Sequence, residues 1–478
     1  MSENISEKRI NSLVPPNEME KAFGFIRKMR ALNEKRVLET GTDLKAHVLT
    51  FGCQQNEADS EKLAGMARSM GYEITSEPER ADLILVNTCA VREHAEQKAL
   101  SIIGQFKHLK NKKSTLMIGV CGCMVTQKHR SEEIRRSYPY VDFIFGTSSL
   151  HRMPQLLYEK TVKGKRLFAP DEDEYLVAEG LNIERASDYR AWVSIMYGCN
   201  NFCSYCIVPY VRGRERSRRM EDIVTEVEEL AEKGYKDITL LGQNVNSYAK
   251  GMEYDFADLL DRLAKIEGDF KLRFMTSHPK DASRKLIDTM AKHDKIAKHF
   301  HLPLQSGSDA MLKAMNRHYD KAQYLQTVRY IREKMPDIAI TTDIIVGFPG
   351  ETEQDFKDTL DMLREVRYDM IFSFIYSPRK GTPASEMEQI DEKVKGERFS
   401  RLLEVQNQIS LEKNLPFVGK TVSVLCDGVS KNNDALLSGR TEGNKIVFFE
   451  GDATDEGKYL NIKIDRAEAF ALYGEKIK

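Results

Sequence analysis

The chain has 478 residues, of which 41% are hydrophobic and 30% are charged, and its formal net charge is −1. This composition is typical of a globular protein with roughly two to four domains, and it excludes a globally basic chain, so any nucleic-acid site must be a local patch. No apolar run reaches the roughly 20 residues that cross a bilayer. The first residues also lack a signal-peptide pattern, so we expect a cytoplasmic protein.

Two segments of different character occupy the first third of the chain. Residues 1–44 are polar with helical spacing, which predicts a helical arm that is either a flexible tail or a cover for a neighbouring domain. In residues 45–162, short apolar runs alternate with amphipathic segments, which predicts a doubly wound parallel sheet. Its strands are predicted at 47–51, 83–87, 116–120 and 141–145.

The middle of the chain repeats a strand and a helix six times. Residues 163–185 include an acidic run at 171–174 and are interpreted as a solvated linker. In residues 186–415, each predicted strand precedes a helix with apolar residues on one face. Six units are fewer than the eight of a closed barrel, so we expect an open, partial (β/α)6 barrel. The strands are predicted at 192–197, 237–241, 272–276, 300–304, 338–346 and 371–376.

The pattern changes again in residues 416–478. Short strands broken by Gly, Asn and Asp are predicted at 421–425, 445–449 and 460–464. This spacing is typical of a small β-barrel.

Three closely spaced cysteines follow the first strand of the central domain. Cys199, Cys203 and Cys206 form a C-x3-C-x2-C motif with Tyr205 before the last cysteine. A structural zinc site needs four protein ligands, whereas three thiolates on a 4Fe-4S cluster leave one iron open. The motif resembles that of the radical S-adenosylmethionine superfamily; a zinc knuckle with a remote ligand is the alternative.

A second group of cysteines lies in the N-terminal domain. Cys53 follows the first predicted strand, Cys89 the second, and Cys121 and Cys123 the third. Because the carboxyl ends of parallel strands meet at one edge, three thiols from three strands should share a crevice. That arrangement suits a second three-thiolate cluster; the alternative is that these are small core residues.

These motifs in this order resemble the methylthiotransferase family of radical S-adenosylmethionine enzymes, over residues 45–478. The resemblance rests on Gly-Cys-Gln-Gln-Asn at 52–56, Asn-Thr-Cys at 87–89, Gly-Cys-Met at 122–124 and the cysteine loop at 198–210. Gly-Arg-Thr-Glu-Gly-Asn at 439–444 likens the C-terminal barrel to a TRAM module, which binds RNA. Within the family, Thr-Ser-His-Pro at 276–279 and the stretch at 301–309 are most similar to the branch that acts on isopentenyladenosine in tRNA.

The resemblance implies a reaction and a set of ligands. Carbon 2 of N6-isopentenyladenosine, beside the anticodon, would gain a methylthio group through radical chemistry, with S-adenosylmethionine as both radical source and methyl donor. Two 4Fe-4S clusters are implied, and Cys121 is then a spectator, an alternative ligand or a group that exchanges sulfur. The implied ligands are Cys53, Cys89 and Cys123 for the auxiliary cluster, and Cys199, Cys203 and Cys206 for the radical cluster.

Further site residues are predicted at the carboxyl ends of the central strands. S-adenosylmethionine is expected at Tyr205, Gly242, Gln243, Gln305, Ser306 and Gly347, although such glycines also serve as ordinary turn residues. A local phosphate-binding patch is predicted from the arginine-rich stretch, since guanidinium forks suit phosphate, with a salt-bridged surface facing Glu221 and Asp222 as the alternative. Its members are Arg212, Arg214, Arg216, Arg218 and Arg219.

The implied partners are tRNA, an electron donor and a sulfur source, and we expect a monomer. Three rival functions remain open. Two belong to neighbouring branches of the family, which modify threonylcarbamoyladenosine in tRNA and an aspartate of a small-subunit ribosomal protein. The third is a non-catalytic RNA-binding protein with structural zinc sites, which iron analysis would distinguish from an iron–sulfur enzyme.

Overall fold

The structure is a computed structural model, and it describes residues 13–91, 93–169, 176–431 and 433–477. Residues 1–12 of the predicted arm and the acidic run at 171–174 lie outside these ranges. The chain forms two compact units. The first contains the described residues up to Ala186 with Met196–Asn200 and Ile207–Arg219; the second contains Ser187–Ile195, Asn201–Cys206 and the residues from Met220 onward.

The first unit is built on a six-stranded parallel sheet, which confirms the predicted α/β class. The strand order is β2-β1-β3-β4-β5-β6. The strands are β1 (Lys45–Thr50), β2 (Glu73–Ile74), β3 (Leu83–Thr88), β4 (Met117–Gly122), β5 (Phe143–Phe145) and β6 (Leu167–Ala169). The helices are α1 (Pro16–Thr40), α2 (Gln54–Ser69), α3 (Glu93–Lys112), α4 (Cys123–Thr126), α5 (Lys128–Ser137) and α6 (Met153–Lys163).

Both faces of this sheet are buried, as the continuous apolar runs of its strands require. On one face, Leu83 and Leu85 of β3 join a core cluster with side chains of α1, α2 and α6. On the other face, Ile84 and Val86 join a cluster with side chains of α3. The sequence did not predict β2 and β6, because edge strands of two and three residues are too short to show a pattern.

The described part of the N-terminal arm, residues 13–44, packs onto the core of the first unit. Met19 and Met29 of α1 are buried in the same core cluster as α2 and α6 side chains. The Asn33 amide donates a hydrogen bond of 2.9 Å to the carbonyl of Met70. The helix ends at Thr40 and is followed by Gly41, whose φ of 67° is the left-handed conformation that glycine adopts readily.

The chain crosses between the two units around the cysteine loop. β7 (Arg190–Ser194) opens the second unit, and three short elements that follow belong to the first. They are β8 (Met196–Tyr197), α7 (Val208–Arg212) and β9 (Arg216–Ser217), with β8 and β9 paired antiparallel. The single strand predicted at 192–197 is therefore two strands in different units.

The second unit contains the six predicted parallel strands as two sheets of three in chain order, linked by one bridge between Leu272 and Ile296. This confirms the partial (β/α)6 barrel. Besides β7, the strands are β10 (Asp237–Leu241), β11 (Lys271–Phe274), β12 (His299–His301), β13 (Ala339–Val346) and β14 (Met370–Ile375). The helices are α8 (Met220–Glu232), α9 (Phe256–Ala264), α10 (Arg284–Lys292), α11 (Asp309–Ala314), α12 (Lys321–Lys334), α13 (Glu353–Val366) and α14 (Glu392–Asn414).

A closed five-stranded barrel ends the second unit and confirms the predicted small β-barrel. Its strands run in the order β15-β16-β17-β19-β18 around an apolar core that includes Cys426. They are β15 (Thr421–Ser430), β16 (Asn433–Thr441), β17 (Ile446–Phe449), β18 (Tyr459–Ala467) and β19 (Leu472–Lys476). Within the described ranges, no helix combines the length and apolar character needed to cross a membrane.

Candidate active site

Three thiols of the first unit meet at the carboxyl edge of its sheet. Cys53, Cys89 and Cys123 directly follow or closely follow β1, β3 and β4, which are neighbours in the sheet. The loops pack tightly there: a Cβ on Gly52 would lie 2.8 Å from the Cβ of Cys89. Parallel strand topology thus brings together residues that are 70 positions apart in sequence.

The surroundings of Cys123 disfavour its thiolate form unless a cation lies close to the sulfur. Burial raises its pKa to about 12; Arg212 opposes this rise, and the nearby Cys89 and Cys53 thiols add to it. Cys89 and Cys123 are buried, whereas Cys53 is exposed. Because a metal binds the thiolate rather than the thiol, a cluster would release these protons as it binds.

Cys121 packs in a different core cluster from Cys123. Its side chain is fully buried in the core cluster that contains Leu83 and Phe143, and burial raises its pKa well above the ordinary value. Cys123 instead packs with Ala90, with Val211 of α7 and with Ile207, which directly precedes that helix. This location favours the interpretation of Cys121 as a spectator.

The first cysteine of the C-x3-C-x2-C motif is held within the first unit. Its backbone N–H donates to the Gly213 carbonyl at 3.1 Å. Gly198 has a φ of 77°, and a Cβ there would overlap the Arg214 carbonyl. Asn200 and Glu215 lock the next turn, because each backbone N–H donates to the other's side chain at 3.2 Å.

The other two cysteines of the motif belong to the second unit. The Cys206 N–H donates to the Cys203 carbonyl at 2.9 Å, which makes a tight turn between the two thiols. The Asn316 amide donates to the Phe202 carbonyl at 2.9 Å, in a loop where Phe202 has a φ of 47°. Arg317, which is 4% exposed, donates to the Cys203 sulfur at 3.3 Å.

The donor chemistry of both groups suits iron–sulfur clusters. Each consists of three cysteines, the ligands that such clusters take, and each leaves one iron position without a protein thiolate. Among the residues that the structure describes, no three His, Cys, Asp or Glu side chains converge as a single metal ion requires. Thiolates on a four-iron cage bind separate irons, so they stand farther apart than the ligands of one ion.

The residues expected to bind S-adenosylmethionine lie in the second unit, after its strands. Gly242 and Gln243 follow β10, Gln305 and Ser306 follow β12, and Gly347 follows β13. Tyr205 lies between the two cysteines of this unit, and its hydroxyl accepts a hydrogen bond from Arg317 at 3.3 Å.

Two of these positions also have structural explanations. A Cβ on Gly347, whose φ is 73°, would overlap the buried Lys395 side chain. The Ser306 hydroxyl is fully buried and lies 3.3 Å from that of Thr359. Glycine at 347 is therefore required by the turn itself, with or without a cofactor.

The five arginines divide into an inner and an outer group. Arg212, Arg216 and Arg218 are buried, and Arg218 pairs with Glu179 at 2.6 Å. Arg214 and Arg219 are exposed. Only the last two present their side chains to solvent, where phosphate could reach them.

Three buried histidines of the second unit have ordinary core partners. His299 and His301 both lie within 3.0 Å of the Thr341 hydroxyl, and His278 accepts from the Lys280 N–H at 3.3 Å. Burial lowers the pKa of His299 to about 3, so it is neutral at pH 7.

Sequence reasoning missed Asp59, Lys62 and Arg317. Asp59 pairs with Arg212 at 2.8 Å, and Lys62 donates to the Tyr197 hydroxyl at 2.7 Å. Arg317 contacts a cysteine 114 residues before it in the chain. Such contacts carry no periodic or motif signal, because the fold alone creates them.

Three family profiles match separate parts of the chain. They are the Radical SAM superfamily at residues 193–363, the uncharacterized protein family UPF0004 at 45–146 and the TRAM domain at 417–477.

Curated relatives match nearly the whole chain. A tRNA-2-methylthio-N(6)-dimethylallyladenosine synthase of Acetivibrio thermocellus is 51% identical over 473 residues, which is 98% of each chain. Enzymes of the same name from a Thermoanaerobacter species and from Clostridium perfringens are 52% and 51% identical over 92% of this chain, and cover 94% and 100% of their own lengths.

Among solved structures, the radical S-adenosylmethionine methyltransferase TsrM of Kitasatospora setae superimposes with a TM-score of 0.53. The match covers 72% of this chain and 77% of that chain at 13% identity, and it reflects a shared fold.

Fold, cysteine loops and profiles together define an enzyme of the radical S-adenosylmethionine class with a TRAM module. The full-length identity is more specific: the chain belongs to the family of tRNA-2-methylthio-N(6)-dimethylallyladenosine synthases.

Proposed function

We propose that this chain is a tRNA methylthiotransferase that converts N6-isopentenyladenosine beside the anticodon to its 2-methylthio derivative. The observation that carries the proposal is 51% identity along 98% of the chain to synthases named for this product. The exchange of an aromatic C–H for C–S explains the need for radical chemistry, because this C–H has no proton that an ordinary base removes.

Each cluster has a proposed set of three cysteines. Cys199, Cys203 and Cys206 would hold the radical cluster, and Cys53, Cys89 and Cys123 the auxiliary cluster. When bound with S-adenosylmethionine, the two clusters supply the one-electron chemistry that breaks the C–H bond and the sulfur that replaces the hydrogen. The protein fixes the thiols by strand-end packing and by the hydrogen bonds of the cysteine loop.

The cofactor would lie against the carboxyl ends of the second unit's strands. Such ends are where parallel α/β folds bind ligands. The buried Gln305 has a φ of 70°, an unusual conformation for a side-chain residue that is common at ligand-binding loops. The proposed contacts are Tyr205, Gly242, Gln243, Gln305, Ser306 and Gly347.

The tRNA would be bound through its backbone and shape. Arg214 and Arg219 supply exposed guanidinium groups, and the C-terminal barrel adds a second contact region. Arg212, Arg216 and Arg218 would act inside the first unit rather than on phosphate, because they are buried. This local patch reconciles tRNA binding with the net charge of −1.

The reaction also needs an electron donor and a sulfur source, which we propose to be separate cellular partners. We further propose that the enzyme is cytoplasmic, as its tRNA substrate requires, and that it acts as a monomer.

Mass spectrometry of tRNA tests the activity. We expect expression in a strain that lacks this modification to restore 2-methylthio-isopentenyladenosine, and Cys123→Ala to abolish it. Cys121→Ala, two residues away and in the apolar core, is the matched control and should retain it. If the methylthio group appears on threonylcarbamoyladenosine instead, the substrate assignment is wrong.

Iron analysis tests the site. The anaerobically reconstituted chain should bind about eight iron atoms and cleave S-adenosylmethionine on reduction. Tightly bound zinc without iron uptake would favour the non-catalytic RNA-binding alternative.

A further inference from the structure

Two buried arginines each donate a hydrogen bond to a cysteine sulfur, one in each unit. Arg212 lies 3.2 Å from the sulfur of Cys123, and Arg317 lies 3.3 Å from that of Cys203. Both arginines are 4% exposed. Burial of a guanidinium is costly unless negative charge lies close to it, so both positions need an explanation.

Arg212 shares its charge between a carboxylate and a sulfur. It pairs with Asp59 at 2.8 Å, and the other oxygen of Asp59 accepts from Gln55 at 3.4 Å. Arg212 is the last residue of α7; Val211 of this helix and Ile207, which directly precedes it, pack against Cys123. The helix therefore holds the guanidinium in a buried position beside one sulfur.

Arg317 has no carboxylate among its described hydrogen-bond partners. Besides the Cys203 sulfur, it donates to the Tyr319 and Tyr205 hydroxyls at 3.1 and 3.3 Å and to the Pro303 carbonyl at 3.1 Å. Phenols and a carbonyl satisfy its N–H groups but do not balance its charge. Three cluster thiolates would supply the missing negative charge.

We propose that Arg212 and Arg317 are positioning residues, one for each cluster, that orient a cysteine sulfur and set the reduction potential of the iron–sulfur centre it holds. The proposal rests on the cluster sites of the proposed function. Hydrogen bonds to ligand sulfurs and local charge are main determinants of such potentials. A cation favours the reduced cluster, which carries one more negative charge, so each arginine raises the potential.

The two sites should differ in size of effect. Asp59 offsets part of the Arg212 charge at the auxiliary site, whereas Arg317 acts with its charge uncompensated by a carboxylate. Removal of Arg317 should therefore lower the midpoint potential of the radical cluster more than removal of Arg212 lowers that of the auxiliary cluster.

The test uses two single-cluster proteins of the full chain. Cys199, Cys203 and Cys206 are replaced by Ala in one, and Cys53, Cys89 and Cys123 in the other. Each must bind about four iron atoms. If either parent does not, the proposed cluster ligands are wrong, and that failure is seen before any arginine is changed.

Arg212→Met and Arg317→Met are then introduced into both proteins, and midpoints are measured by redox titration with electron paramagnetic resonance. We expect each variant to lower the midpoint potential of its own cluster by about 59 mV or more, which is an equilibrium constant for one-electron reduction about tenfold smaller. The same constant for the other cluster should change by less than about twofold. Arg212→Lys and Arg317→Lys should each recover most of the shift. Unchanged midpoints in iron-loaded variants, or equal shifts in both clusters, would overturn the proposal.

Arg185→Met is the control for lost stability. Arg185 pairs with Glu61 at 2.8 Å in the first unit and is half-buried, with its side chain 12% exposed, and its partner in this pair is a carboxylate. It should leave both midpoints unchanged. If a Met variant fails to bind iron, the Lys variant at the same position decides. Iron binding that Lys restores supports a role for the charge. If the Lys variant also fails to bind iron while Arg185→Met binds it, the proposal is contradicted.

Discussion

Removal of one partner from the buried ion pair between Arg273 and Asp237 should strongly destabilise the second unit. Arg273 Nε donates to Asp237 at 2.8 Å, with side-chain exposures of 10% and 5%. Arg273 also donates to the backbone carbonyls of Thr441 and Glu442 at 3.3 and 2.7 Å. One guanidinium thus joins the central strands to the C-terminal barrel.

Asp237→Asn keeps the shape of the side chain and removes its charge. Loss of one partner of a buried pair costs about 3–5 kcal/mol, and we expect the lower end, about 3, because Arg273 keeps two carbonyl acceptors. That is about two orders of magnitude in the ratio of folded to unfolded protein, and a fall in melting temperature of roughly 6 °C.

The chain contains one tryptophan, Trp192 in β7, and it pairs in register with Thr239 of the adjacent β10. Urea unfolding followed by its fluorescence therefore reports on the second unit beside the altered pair. Asp361→Asn is the matched control, since Asp361 pairs with Arg364 in an exposed position and should cost less than about 1 kcal/mol. Equal losses for the two variants would refute the reasoning.

Three further predictions concern tRNA, acid stability and the cysteine loop. Arg214→Ala and Arg219→Ala should each reduce the magnitude of the slope of log affinity for tRNA against log salt concentration by about 0.7–0.9, as measured by filter binding. An unchanged slope would mean that the phosphate contacts lie elsewhere. Burial lowers the pKa of His299 from 6.5 to about 3, so the unfolded chain protonates first and the free energy of unfolding falls as pH drops through that range. His299→Gln should flatten this part of the urea-measured pH profile; an unchanged profile would contradict the assignment. Gly198→Ala should displace the Cys199 loop and reduce bound iron from about eight to about four atoms, whereas full loading would show that the loop tolerates a side chain.

The sequence alone determined the fold class and the two groups of three cysteines. The period and length of the apolar runs distinguish helices from parallel strands. Because neighbouring parallel strands end at the same edge of the sheet, the cysteines that follow them, Cys53, Cys89 and Cys123, lie at that edge. The predicted domain limits at 44, 162, 185 and 415 stay predictions, as do the individual ligand assignments. The elements that sequence missed are short or irregular, such as β2 and β6, which have too few residues to show a pattern.

Only the tertiary structure decided the surroundings of the arginines and of the extra thiol. Five arginines within eight positions are alike in sequence, yet packing buries Arg212 against a cysteine and leaves Arg214 exposed. Cys121 and Cys123 are two residues apart, but the strand ends between them, so one enters the core and the other faces the strand-end loops. Arg317 reaches Cys203 through a loop contact that no spacing encodes. Local pattern therefore specified which groups the chain carries, and long-range packing specified the partner and charge environment of each.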